Sequence, residues 1–181
     1  MFRYRDYILR MPEKRDAEGF YRISHDDAVN RYYGSAGTRF KDIGEAQDQV
    51  EWCLAQFEHN AGRWIIAKET DDAYIGDIGF SGYAAAHHRA ELGYRLSSGY
   101  WGRGIVSYFI GQLVEWGFDT LQYNRIEAMA DTRNTASKQV LIKNHFIMEG
   151  TLRQYEYEGD GYADLEMYSI LREDFLKVHT R

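Results

Sequence analysis

The sequence predicts a mixed α/β fold of the α+β kind. One central mixed, mostly antiparallel sheet of about six to seven strands is flanked by about four helices. The runs "RWIIAKE", "AYIGDIGFSGY" and "AELGYRLS" are β-rich and joined by short turns, which makes an antiparallel meander. Strand, glycine turn, helix and strand then follow in that order, so the two flanking strands are parallel across a crossover. The chain closes with "MEGTLRQYEYEGDGYADLEMYSIL", two strands about an "EGDG" turn.

The elements follow in order. "YILR" (Tyr7 to Arg10) is a short extended run, and the single proline, Pro12, separates it from a polar helical stretch beginning near Asp16. Ile43, Ala46, Val50, Leu54 and Phe57 recur at helical spacings and form an apolar stripe, with Cys53 beside it in the core. "TDDA" turns the first meander strand into the second, and "AAAHHR" leads into the third. In "SSGYWGRGIVSYFIGQLVEWGF" (Ser97 to Phe118), glycines precede a helix that places Ile105, Phe109, Ile110, Leu113, Val114 and Phe118 on one face. "NRIEAMAD" is the next strand, and a further helix runs from about Thr135 to His145.

Composition narrows the function classes. At 181 residues the chain suits one sizeable core without a linker, so residues 1–181 are expected to form a single domain. The net charge of −6 argues against general binding to nucleic acid or to an anionic membrane, since a phosphate surface would be repelled. "MFRYRDYILRMPEKRD" is neither a signal peptide nor a membrane span. One cysteine excludes an internal disulfide, and no Cys/His spacing suggests a zinc site; a cytoplasmic protein without metal is expected.

The glycine turn carries the first chemical signal. Gly102, Arg103 and Gly104 precede a helix start, where free N–H groups and the positive end of the helix dipole favour an anion such as phosphate. The Walker lysine and the full dinucleotide pattern are both missing. By itself the turn reads equally well as a tight strand-to-helix corner.

The order of motifs adds more. "AELGYRLSSGYWGRGIVSYFIGQLVEWGF", "NRIEAMADTRNTASKQVLIKNHFIMEGTLR" and "GYADLEMYSILREDF" together resemble the GNAT superfamily of acetyl-CoA-dependent N-acetyltransferases. More narrowly they are similar to its ribosomal-protein alanine/serine N-acetyltransferase branch. The resemblance implies a GNAT-like fold and transfer of an acetyl group from acetyl-CoA, as cosubstrate and without a metal, to a primary amine of a protein N-terminus or small molecule. The sequence departs from the pattern twice: Gly99 stands where the superfamily often has Gln or Arg, and "LIKNHF" replaces a sequence like "LEKLGF", so that Asn144 and His145 stand for a Leu-Gly pair.

The resemblance also implies residue roles. The backbone of Tyr94, Arg95 and Leu96, on a splayed strand, would pair with the pantetheine arm, and an N–H there would polarise the thioester carbonyl and stabilise the oxyanion. Gly102, Gly104 and Ile105 would offer N–H groups to the pyrophosphate, with Arg103 beside them. Asn134 would bond the pantetheine region and Ser137 would lie near the departing sulfur; both residues read equally as helix capping. Glu91 is the expected general base, its bland alternative being an exposed strand-edge glutamate. Asp77, on the neighbouring meander strand, and Asp164, on the last hairpin, are candidate companions in the acceptor cleft, the alternative for each being a merely solvated carboxylate.

Other residues have weaker claims. His87 and His88 suit a solvated turn, and Tyr155, Tyr157, Tyr162 and Tyr168 crowd the last strands, where aromatic residues serve packing or wall the cleft. Two further readings stay open: a non-catalytic acyl-CoA binding or sensing protein on the same fold, and an acetyltransferase acting on polyamines or aminoglycosides. A homodimer is compatible with either.

Overall fold

Strand-forming runs with apolar residues on both faces need cover on both sides, and the helices supply it. The structure, a computed structural model, describes residues 2–33 and 39–179. Among these residues, eight strands form one sheet in the order β1 (Arg3–Tyr4), β2 (Tyr7–Arg10), β3 (Gly62–Lys68), β4 (Tyr74–Ala84), β5 (Arg89–Leu96), β6 (Arg125–Asp131), β8 (Tyr162–Leu171) and β7 (Ile147–Tyr157). The predicted meander and closing hairpin are antiparallel, and β5 and β6 are the parallel pair expected from the crossover.

The strand count exceeds the expected six to seven by β1, which is only 2 residues long and pairs with β2 across a tight turn. Among the described residues six α-helices stand where about four were expected: α1 (Ala17–Ser24), α2 (Asp27–Asn30), α3 (Ile43–Gln56), α4 (Ile105–Asp119), α5 (Thr135–Lys143) and α6 (Arg172–His179). The unexpected pair are α2, a single turn capped by the Asp26 carboxylate, and the polar α6.

The sheet separates two apolar layers. Strand alternation turns Ala90 and Leu92 of β5 toward α4, whose predicted face is fully buried from Ile105 to Phe118. Phe109, Ile110 and Leu113 are each 0% exposed, and each contributes roughly 1.5–3 kcal/mol of burial. The opposite face lies under α1 and α3, where Phe20, Ile23, Ala46, Val50 and Cys53 meet Ile65 and Ala67. The α3 stripe therefore runs through Ala46, Val50 and Cys53. Ile43, predicted within it, is exposed because it is the first helical residue after the Asp42 cap, and Leu54 is only half-buried.

Helix α5 ends two residues earlier than expected. Asn144 is its C-cap, donating Nδ2–H to Val140 O at 2.8 Å and to Ser107 Oγ of α4 at 3.1 Å. His145 follows with φ 65°, so the chain makes with a histidine the left-handed turn that glycine usually makes.

Candidate active site

The two central strands come apart in the middle of the sheet. Among the described residues, β5 pairs with β6 only from Arg89/Arg125 to Glu91/Glu127, while β5 stays with β4 to Leu96 and β6 stays with β8 to Asp131. This is the splay the sequence predicted. Ser97 N–H donates to Ile75 O of β4, so strand alternation turns the backbone groups of Tyr94 and Leu96 to the open edge. Tyr94 O there accepts Tyr33 Oη–H at 2.5 Å, and Leu96 O accepts Trp101 Nε1–H at 2.7 Å. The Tyr94 and Leu96 N–H groups lie along the same edge. Arg95 instead sends its side chain into the α1/α3 layer.

Glu91 stands where the pairing stops, which puts its carboxyl at the vertex of the opening. It lies on the face covered by α1 and α3, half-buried, in register with Ser81 of β4 and Glu127 of β6. Burial, and then the Glu127 charge, push its carboxyl above the usual carboxylate range, while Arg63 pulls the other way. A carboxyl raised in this manner is better matched to accepting a proton near neutral pH.

Below Glu91 on the same face is a buried charge cluster. Asp77, 0% exposed, receives Arg63 Nε–H at 2.5 Å, Arg95 Nε–H at 3.2 Å and Tyr74 Oη–H at 2.6 Å. The expectation that Asp77 lines the acceptor cleft is corrected: register places it opposite Arg95 and Ile65, inside the sheet. Asp164 is also displaced from Glu91. Its carboxylate accepts Gln154 N–H at 2.7 Å and closes the bulge between β7 and β8.

The other wall of the opening carries hydroxyls. Tyr94, on the α4 face of β5, crosses to α5 and shares a 2.8 Å hydrogen bond between its Oη and Ser137 Oγ. Burial raises the Tyr94 phenol, so it stays protonated and able to donate. Asn134 caps α5, its Oδ1 accepting Ser137 N–H at 3.1 Å. Cap and hydroxyl are thus both present, one at the helix start and one facing Tyr94.

The glycine turn closes this end of the site. Gly102 and Gly104 have φ 72° and 77°, a conformation that glycine adopts without strain, and a Cβ on Gly102 would meet nothing within 4 Å. Gly104 is the N-cap of α4 and has no side chain over the N–H groups of Ile105 and its successors. Arg103 folds back instead: its Nη1 donates to Tyr7 Oη at 3.2 Å, its Nη2 to Gly99 O at 2.9 Å, and its guanidinium lies 5.0 Å from the Tyr100 ring centre.

Tyr33, Arg63 and the Tyr94 hydroxyl were not predicted from the sequence as site groups. The two histidines sit in an exposed turn before β5, His88 with φ 47°. Tyr155, Tyr157 and Tyr162 are exposed, and Tyr168 is buried with its hydroxyl on Glu166 Oε2 at 2.6 Å.

Comparison with known proteins places these features in a family. The profile described as "Acetyltransferase (GNAT) domain" matches residues 6–147. A Bacillus subtilis (strain 168) protein described as an uncharacterized N-acetyltransferase, YoaA, is 36% identical over 166 residues, 91% of this chain and 93% of that one. The ribosomal-protein-serine acetyltransferase of Escherichia coli (strain K12) is 33% identical over 109 residues, 60% of each chain. In fold, the chain is similar to the ribosomal-protein-S5-alanine acetyltransferase of Vibrio fischeri, with a TM-score of 0.81 at 23% identity, covering 96% of this chain and 97% of that one.

Proposed function

The chain belongs to the GNAT acetyltransferase family, and from that premise we propose that it transfers the acetyl group of acetyl-CoA to the primary amine of a protein N-terminus or a small molecule. One domain over residues 1–181 carries the whole reaction. The observation that supports this most is the end of β5–β6 pairing at Glu91, which sets a raised carboxyl at the vertex of an opening walled by the Tyr94–Ser137 hydroxyl pair.

The donor fits the groups present. The Tyr94 and Leu96 N–H groups on the open edge of β5 suit an extended amide-bearing arm, and the side-chain-free turn at Gly102 and Gly104, leading into Ile105, suits a pyrophosphate. Arg103 holds the turn in shape from behind rather than reaching across it.

The reaction follows from these places. The amine nitrogen attacks the thioester carbonyl carbon, forming a C–N bond and a tetrahedral oxyanion that a backbone N–H of β5 stabilises. Glu91 takes the proton released by the amine, directly or through one water. The carbon–sulfur bond then breaks, and the departing thiolate receives a hydrogen bond from Ser137 Oγ, itself supported by Tyr94 Oη. An N-terminal amine suits a carboxylate base because its reference pKa of about 7.7–8.0 lies well below that of lysine, about 10.4.

Acceptor screening tests the proposal. The protein is incubated with acetyl-CoA and peptides beginning with Ser or Ala, polyamines or aminoglycosides, while thiol release and acetylated product are followed by absorbance and mass spectrometry. Transfer to an amine in at least one class is expected. Tight acetyl-CoA binding with no product in any class overturns the reading in favour of a non-catalytic binder.

A further inference from the structure

Two glutamates stand side by side where β5 and β6 part. Glu91 and Glu127 are register partners in parallel strands, so their Cα atoms are about 4.8 Å apart and their side chains rise from the same face. Their surroundings differ. Glu127 accepts Arg89 Nη1–H on Oε2 and Arg125 Nε–H on Oε1, both at 2.7 Å. Arg125 in turn makes a two-pronged contact with Glu149, at 2.7 and 2.6 Å, and Ser169 Oγ–H donates to Glu149 Oε1 at 2.6 Å. Glu127 is therefore fixed by two guanidinium groups.

Glu91 has a different set of neighbours. From β6 it faces Glu127, from β3 the Arg63 guanidinium, and from β4 the neutral Ser81; Arg89, two residues before it on β5, is already engaged by Glu127. Arg63 is itself committed to Asp77, with Tyr33 also beside it. Carboxyls on register partners of neighbouring strands repel one another, and the two guanidinium groups of this corner are aimed at Glu127 and not at Glu91.

We propose that Glu127 is a positioning residue for the general base: gripped by the Arg89 and Arg125 guanidinium groups, it stands as the fixed partner beside Glu91 and makes Glu91 the member of the pair that takes up a proton. This rests on the reading of Glu91 as the base. The two carboxyls thereby divide the work by environment, Glu91 exchanging protons and Glu127, tied to two arginines, standing as its acidic neighbour.

Opposite charge changes on Glu127 and Arg89 separate this coupling from a structural disturbance. Glu127→Gln removes the negative neighbour and frees two arginines, so the Glu91 midpoint falls by about one pH unit, a tenfold change on the acid limb of kcat/KM. Arg89→Gln strips a counter-charge from Glu127, so the midpoint rises. Glu127→Asp keeps the charge and restores a midpoint near that of the unaltered protein. Carbon-13 NMR of glutamate-labelled protein reads the Glu91 carboxyl directly, its signal assigned by its loss in Glu91→Gln, and kcat/KM against pH is measured on the same variants. Shifts of opposite sign support the proposal. No shift, or shifts of the same sign in Glu127→Gln and Arg89→Gln, overturns it. Carboxyl shifts as stated without movement of the rate profile support the coupling and overturn Glu91 as the base.

Discussion

Asp77→Asn should be among the most damaging single changes in the sheet. The carboxylate is 0% exposed and balances two guanidinium groups whose side chains are only 10% and 7% exposed. An amide of the same shape keeps one acceptor oxygen but turns the other into an NH2 donor that faces other donors, and it carries no charge, leaving two buried cations unmatched. Breaking a buried pair by removing one partner costs about 3–5 kcal/mol, a large part of a typical domain stability of about 5–15 kcal/mol. Urea unfolding followed by fluorescence of Trp64 and Trp116, which pack edge-to-face at 5.0 Å, measures the loss.

The same group predicts a pH signature. Burial disfavours the Asp77 charge, but Arg63, Arg95 and the Tyr74 hydroxyl outweigh burial and hold the carboxyl below its ordinary range. A group lowered on folding stabilises the protein fully above its unfolded pKa, about 3.9 for aspartate, and loses that contribution as pH falls through the folded value. The stability difference between the native protein and Asp77→Asn should therefore be constant near neutral pH and shrink in acid. A difference below about 1 kcal/mol at pH 7 would refute the claim that this cluster depends on the carboxylate charge.

Two further variants probe the two ends of the opening. Gly104→Val forces a β-branched residue to adopt φ 77° and brings its Cβ within 3.3 Å of Tyr4 Oη. It should weaken acetyl-CoA binding in calorimetric titration at least tenfold while circular dichroism stays native; unchanged affinity would leave the turn as a simple corner. Ser137→Ala removes the partner of Tyr94 Oη and should lower kcat about tenfold with little change in acetyl-CoA affinity; normal turnover would move the leaving-group role to water or to Tyr94.

The legibility of the fold varied with the strength of the local signal. Helix α4 was readable because six apolar residues repeat on one side and all are buried, so period and burial agree. The parallel β5–β6 pair followed from the crossover rule. The two residues of β1 and the single turn of α2 are too short for any period to appear, and α6 is polar enough to resemble a tail. Ile43 was misplaced because a repeat does not reveal where a cap ends the helix.

Within the site, residues whose role is local were easier to read than those brought together by register. Glu91, Ser137 and the glycines stand in motifs, and all lie around the β5–β6 opening or the turn that follows it. Arg63, Asp77 and Arg95 come from three separate β-rich runs, where each resembles a solvated strand charge; only the pairings of Asp77 with Ile65 and Arg95 draw them together. Tyr33 reaches Tyr94 O across a separation of 61 residues, which no local pattern encodes.

Glu91→Gln, compared with the unaltered protein at saturating acetyl-CoA across the pH range, tests most directly whether this carboxyl is the base that serves the amine. With a working acceptor, kcat/KM should fall by roughly 10²-fold near neutral pH while acetyl-CoA affinity is kept, and the deficit should shrink at alkaline pH as solvent supplies more neutral amine. Superimposable profiles for the two proteins would contradict that role and leave Glu91 a structural residue of the splayed strand.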